Sequence, residues 1–88
     1  MSVTAEQIRD ALQERLQPIT LEVIDDSHLH AGHAGAREGR HFTVRLTARA
    51  FAGATRVARH RLVYDALREL MPAGIHALAI DARSPDET

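Results

Sequence analysis

The N-terminal hydrophobic positions of the chain have the spacing of an amphipathic helix. Ile8, Leu12 and Leu16 recur every four residues, which predicts a helix over residues 4–17 with one apolar stripe. The helix starts with a threonine that is followed three positions later by a glutamine, a pair that can form a capping box. Pro18 ends the helix, because the residue before a proline is pushed out of helical geometry.

Hydrophobic and polar residues alternate in two later segments, as in half-buried strands. The alternation predicts strands at residues 19–25 and 41–48, separated by a loop over residues 27–39. Consecutive strands most simply form an antiparallel hairpin, and a loop this long in a small domain is often functional. The alternating apolar residues are Ile19, Leu21, Val23, Phe42, Val44 and Leu46.

The second half of the chain contains one more long helix and one more strand. A short turn or helical piece over residues 51–55 leads into a helix over residues 56–71, which Pro72 and a following glycine end. Residues 75–81 are apolar enough to form a third strand. Residues 82–88 are polar, so we expect them to fray.

These elements predict one two-layer α+β domain spanning residues 1–88, with an ordered core over about 4–82 and a polar tail at 83–88. Their order is α-β-β-α-α-β, counting the short helical piece. A right-handed crossover through the second long helix brings the last strand parallel to the second. We therefore expect a three-stranded mixed sheet with helices on one face.

Composition narrows the possible chemistry. The chain has 88 residues and no cysteine, so it supplies no thiolate, and any metal that it binds alone must use His, Asp or Glu. It contains no lysine, which excludes a phosphate-binding P-loop, and it lacks the serine elbow and paired-histidine motifs of hydrolases. We expect a protein that is not an enzyme. The N-terminus has no long apolar run, so we also expect a cytoplasmic protein that does not enter the membrane.

The charge is unevenly distributed. Residues 37–68 contain eight arginines and two acids, a net charge of +6, whereas the rest of the chain has three arginines and ten acids, a net charge of −7. A basic middle segment can bind phosphate or an acidic protein surface. Equally, its arginines can simply solvate exposed faces.

Six histidines in 88 residues are the main compositional anomaly. His28, His30 and His33 fall in the predicted loop, where they could bind zinc, copper, iron or nickel or could merely be solvated. His41 and His60 are interpreted as structural residues of a strand end and a helix. His76 is the more suggestive residue, because a polar ring beside an apolar run needs a partner or an exposed edge.

Several short motifs, in the same order, resemble the BolA family over residues 5–83, nearly the whole chain. A family resemblance carried by separate motifs in register is more specific than any one of them. The motifs are Leu21-Glu22-Val23, Asp25-Asp26-Ser27, His30, His41-Phe42, Phe51-Ala52-Gly53, the run from Arg59 to Tyr64, and the run from Ile75 to Ile80.

The resemblance implies a fold similar to the type II K-homology domain. RNA-binding K-homology domains carry a G-x-x-G clamp between two helices. The corresponding turn here is Gly53-Ala54-Thr55-Arg56, which lacks the second glycine, so RNA binding by that route is not expected.

The resemblance also implies a partnership with a monothiol glutaredoxin through a shared [2Fe–2S] cluster. The glutaredoxin and glutathione would supply thiolates, and this chain would supply His76 and a loop histidine, His30, with His33 or His28 as substitutes. Such a protein serves in iron–sulfur cluster trafficking or in iron and redox sensing. Alone, it would be a monomer or a weak homodimer without a cofactor.

Two alternatives remain open at the sequence level. The family also implies DNA-binding transcriptional regulation, in which Arg56, Arg59 and Arg61 of a helix-turn-helix-like segment would contact phosphates. We favour the use of this basic face to bind an acidic glutaredoxin surface instead. The second alternative is a nickel or zinc carrier that uses the three loop histidines.

Overall fold

The structure, a computed structural model, describes residues 3–26 and 40–87. Its elements are arranged as helix, strand, strand, helix, short helix and strand, with one 3₁₀ turn before the second helix and another after the last strand. They are α1 (Ala5–Leu16), β1 (Thr20–Asp25), β2 (Arg40–Thr47), a 3₁₀ turn (Arg49–Phe51), α2 (Arg56–Ala66), α3 (Met71–Gly74), β3 (Ile75–Arg83) and a second 3₁₀ turn (Pro85–Glu87).

The predicted first helix and its capping box are confirmed. The backbone amide of Gln7 donates to the Thr4 hydroxyl at 3.1 Å, and the Gln7 side chain accepts from the Thr4 backbone amide at 2.8 Å. The helix ends at Leu16, and Gln17 takes a left-handed conformation with φ of 46° before Pro18. The capping box and the proline therefore set both ends of α1.

The three strands form one mixed sheet in the order β1-β2-β3, as predicted. β1 and β2 pair antiparallel, with Val23 opposite Val44. β3 pairs parallel to β2, with Ile80 opposite Val44. The hairpin and the parallel crossover are thus both confirmed, whereas the predicted loop over residues 27–39 lies outside the described residues.

The core lies between one face of this sheet and the helices, which confirms the two-layer α+β fold. Ile19 differs from the prediction, since it precedes β1 at the end of the sheet and its side chain is 56% exposed. The largest fully buried side chains are Phe42, Phe51, Ile8, Leu12, Leu67, Val44 and Val63.

The helix predicted over residues 56–71 is shorter in the structure and is followed by a separate turn of helix. α2 ends at Ala66, and Pro72 lies in the first turn of α3. A proline inside a continuous helix would clash with the carbonyl one turn earlier, whereas the first turn of a helix accepts it. The sequence pattern predicts too long a helix because Leu67, which lies in the turn after α2, is also buried and so continues the helical spacing of apolar residues.

The C-terminal residues also differ from the prediction, because β3 continues to Arg83 and the chain then folds back. Ser84 is 2% exposed, and its hydroxyl lies 2.6 Å from a carboxylate oxygen of Glu87. Hydrogen bonds within this turn hold residues that the composition alone describes as a polar tail.

Candidate functional site

An irregularity in the pairing of β2 with β3 determines which way His76 faces. Arg40 pairs with Ile75 and His41 pairs with Ala77, so His76 is an additional residue in β3, as in a β-bulge. Side chains alternate between the two faces of a sheet along a strand. One inserted residue therefore moves the side chains that precede it to the opposite face from the one a regular strand would give them. Ile75 accordingly enters the core, while His76 and Ala77 are both exposed.

The bulge places His76 beside His41. The centres of the two imidazole rings are 5.1 Å apart, and the ring planes are tilted by 53°. His41 is half-buried and His76 is exposed. Phe42, which follows His41 on β2, points into the core on the helix-covered face, so the two rings lie on the opposite, outer face of the sheet.

The surroundings of the ring pair are fixed by contacts between β2 and the end of β1. The backbone amide of Asp26 donates to the carbonyl of His41 at 2.8 Å, and the Thr43 hydroxyl donates to the Asp26 carboxylate. Arg40 forms an ion pair with Asp25 at 2.8 Å. The chain therefore enters segment 27–39 at Asp26 and leaves it at Arg40, next to His41.

These positions can be compared with the predicted metal ligands. His76 is exposed, as a ligand to a shared group must be. His28, His30 and His33 lie outside the described residues, so their distances from His76 stay untested. Among residues 3–26 and 40–87, no group of three or more His, Cys, Asp or Glu side chains could hold a metal ion.

The nearness of His41 to His76 is not predicted by strict strand alternation. Along β3, the apolar residues that pack on the core are Ile75, Leu78, Ile80 and Ala82, with a first spacing of three and then two spacings of two. A spacing of three within a strand indicates an inserted residue. This interval is the sequence signal that places His76 on the outer face.

The predicted phosphate-contacting arginines lie in or near a second region, a cleft of about 680 Å³ between α2 and the end of β3. Arg59 is held inside this region, since its guanidinium donates to the carbonyls of Ala54 at 3.0 Å and Ala82 at 3.2 Å. It also pairs with Glu87 at 2.5 Å, and its side chain is 14% exposed. Arg56 and Arg61, by contrast, are exposed. Of the three predicted residues, Arg59 alone has its guanidinium held within the protein.

Glu87 is the acidic partner in this region. Hydrogen bonds from the Ser84 hydroxyl and backbone amide, together with the Arg59 guanidinium, lower the pKa of Glu87 from 4.5 to about 2. Each of these donors stabilises the ionised carboxylate. His60 is half-buried on the wall of the same cleft, consistent with a structural residue.

The outward face of α2 combines apolar and basic side chains. Val57 is 60% exposed and Tyr64 is 41% exposed, and Arg61 lies between them at helical spacing. Arg68 is exposed just beyond the end of the helix. Tyrosine and arginine are residue types that are enriched at protein–protein interfaces.

In the part of the chain that the structure describes, no helix is both long and apolar enough to cross a bilayer.

Comparisons with known proteins agree with this architecture. The BolA family, described as BolA-like protein, matches residues 12–87. Protein BOLA1 from the chloroplast of Arabidopsis thaliana is 42% identical over 88 residues, covering 96% of this chain and 55% of that protein. The DNA-binding transcriptional regulator BolA of Escherichia coli is 39% identical over 75 residues, covering 85% of this chain and 70% of the regulator.

A solved structure is also similar over the full length. The BolA domain of SufE1 from Arabidopsis thaliana has a TM-score of 0.86 and 43% identity, and the match covers 100% of this chain and 99% of that one. The chain spans about half the length of the chloroplast relative.

Proposed function

Because the chain belongs to the BolA family, we propose that it is a non-enzymatic partner of a monothiol glutaredoxin that shares a [2Fe–2S] cluster. His76 supplies one imidazole ligand, and a histidine of segment 27–39 supplies the other. His30 is the first choice for that second ligand, with His33 or His28 as substitutes. The role is cluster trafficking or iron and redox sensing.

The observation that carries this proposal is the exposure of His76 on the outer face of the sheet. A ligand to a cluster held between two proteins must reach solvent before they associate, and the bulge in β3 turns this imidazole outward. His76 is the second residue of β3, so strand pairing holds its backbone in place. A backbone that is already ordered limits the entropy lost when a ligand binds.

The set of donors supports a shared cluster rather than one held by this chain alone. The chain has no cysteine, so it offers neutral imidazoles, and the thiolates must come from the glutaredoxin and glutathione. Histidine ligands raise the reduction potential of a [2Fe–2S] cluster above that of an all-thiolate one. Asp26 and Arg40, the described residues that flank segment 27–39, both lie beside His41.

The exposed face of α2 supports a docking role. Val57 and Tyr64 provide apolar area, and Arg61 provides positive charge, which fits an acidic partner surface. Arg68 is exposed as well, and it pairs with Asp65 at 3.4 Å. α2 runs from the end of β3 towards its beginning, since Arg59 near its start bonds to Ala82. Tyr64 and Arg68 therefore lie towards the end of the molecule that carries His76.

The test is reconstitution of the complex from this chain, a monothiol glutaredoxin, glutathione, iron and sulfide. We expect a coloured heterodimer, while the isolated chain stays colourless. His76→Ala should change the visible absorption and circular dichroism spectra, whereas the matched control His60→Ala should not. An unchanged spectrum for His76→Ala would refute the ligand assignment. Single replacements of His28, His30 and His33 identify the loop ligand.

The similarity to the Escherichia coli regulator favours DNA binding as a second candidate function. Arg56 and Arg61 are the exposed members of the predicted basic set, whereas Arg59 is engaged by Glu87. We expect a band shift that weakens steeply with salt and is lost when Arg56 and Arg61 are both replaced by alanine. Arg9→Ala on α1 is the control, and no shift at low salt would exclude this function.

A further inference from the structure

The bulge in β3 brings together two imidazoles that a regular strand would place on opposite faces. His41 pairs with Ala77, so in an unbroken ladder His76 would point to the core side. The inserted residue reverses that direction, and the ring centres come within 5.1 Å of each other. Both side chains are carried by paired strands, so the backbone holds their spacing.

This spacing matches two ligands of one ion. Imidazoles bound to one metal ion at a metal–nitrogen distance of about 2.1 Å have ring centres about 4.6 Å apart in a tetragonal arrangement and about 5.4 Å apart in a tetrahedral one. From this geometry we infer that His41 and His76 form a two-imidazole site for a divalent transition metal ion, held by the isolated chain without a partner. The tilt of 53° between the rings leaves them unstacked, so that side-chain rotation can aim both at one ion.

The donor type sets the class of ion. Neutral imidazole suits copper, nickel and zinc, whereas calcium and magnesium require several oxygen ligands. Asp26 lines the same shallow groove as His41, but its carboxylate accepts the Thr43 hydroxyl and does not complete a group of three ligands among the described residues. Water therefore fills the remaining positions, and Cu²⁺ binds most tightly by the general order of divalent affinities.

This site is distinct from the histidine cluster of segment 27–39 and from the shared cluster. It requires His41, which the proposed function does not use, and it needs no thiolate. The isolated chain contains no glutaredoxin. Failure to bind Cu²⁺ would therefore refute this site alone, and failure to form a coloured complex would refute the cluster proposal alone.

The experiment is a competition titration of the full chain with Cu²⁺, in which each variant is first shown to be folded by circular dichroism. We expect one equivalent to bind, with His41→Ala and His76→Ala each weakening affinity at least tenfold. His60→Ala, a matched control on α2, should stay within twofold. A triple replacement of His28, His30 and His33 by alanine should also stay within twofold.

Two further measurements keep the result decisive. His41→Gln replaces the imidazole with a polar side chain of similar size, and it should lose affinity like His41→Ala. At substoichiometric Cu²⁺, the ring protons of His41 and His76 should broaden before those of other histidines. Wild-type affinity in both His41 variants, or a tenfold loss in the triple variant alone, would overturn the inference.

Discussion

The two ends of β3 treat their polar side chains in opposite ways. At its beginning, the bulge turns His76 out of the core and places it against His41 on an open face. At its end, Arg59 and Glu87 bond to each other, and Arg59 also bonds to the backbone of the strand. Polar groups tied together by the fold serve its stability, whereas an exposed polar group such as His76 is accessible to a ligand.

The difference can be expressed through adjacent residues. Ile75 and His76 follow each other in the chain, yet one is 6% exposed and the other lies on the surface. At the other end, Ser84 is 2% exposed but polar, and its hydroxyl is bonded to Glu87. The fold thus depends on the burial of Ile75 at one end of β3 and on the hydrogen bonds between Ser84 and Glu87 at the other.

The largest expected change in the free energy of unfolding is at Ile75, and it tests whether the bulge buries Ile75 and exposes His76. Ile75→Ala should lower the free energy of unfolding by about 3 kcal/mol, because truncation of a buried isoleucine loses transfer free energy and leaves a cavity. His76→Ala should change it by about 0.5 kcal/mol or less, as expected of an exposed residue. Urea unfolding followed by circular dichroism measures both. Equal losses would mean that His76 also packs in the core.

A smaller effect is expected at the other end of the strand. Arg59→Ala removes the donors to the Ala54 and Ala82 carbonyls and should cost about 2 kcal/mol, measured by the same unfolding experiment. The control is Arg56→Ala, an exposed arginine on the same helix, with an expected change of about 0.5 kcal/mol or less. Similar losses in both variants would refute a structural role specific to Arg59.

The smallest effect is a dependence on acid. Because the folded protein lowers the pKa of Glu87 to about 2, its ionised carboxylate contributes stability above the ordinary value of 4.5. That contribution is lost as pH falls from 4.5 towards 2. The stability difference between wild type and Glu87→Gln should therefore shrink on acidification, as measured by urea unfolding at several pH values. A difference independent of pH would contradict this assignment, and Glu14→Gln on α1 is the charge control.

Most of the fold follows from local patterns in the sequence. The capping box and Pro18 set α1, and alternation around Phe42, Val44 and Leu46 sets β2, because these signals depend on neighbouring residues. The end of α2 does not follow, since Leu67 keeps the helical spacing while lying in a turn. The C-terminal turn does not follow from local patterns either, because Glu87 contacts Arg59 only when the chain has folded.

The candidate site is predictable in part for the same reason. The exposure of His76 follows from a polar ring next to an apolar run. Its nearness to His41 depends on the register between two strands distant in sequence, which no local pattern fixes. The involvement of Arg59 with Glu87 is likewise a tertiary contact, so the sequence alone did not separate it from Arg56 and Arg61.

The parallel pairing of β2 with β3 has a consequence for the order of assembly. The β1–β2 hairpin forms from residues close in sequence, whereas β3 must dock after the crossover through α2. A nascent chain that has completed only the hairpin holds His41 without His76. Any ligand that requires both rings therefore binds the finished domain alone, and by mass action it stabilises complete chains over partly folded ones.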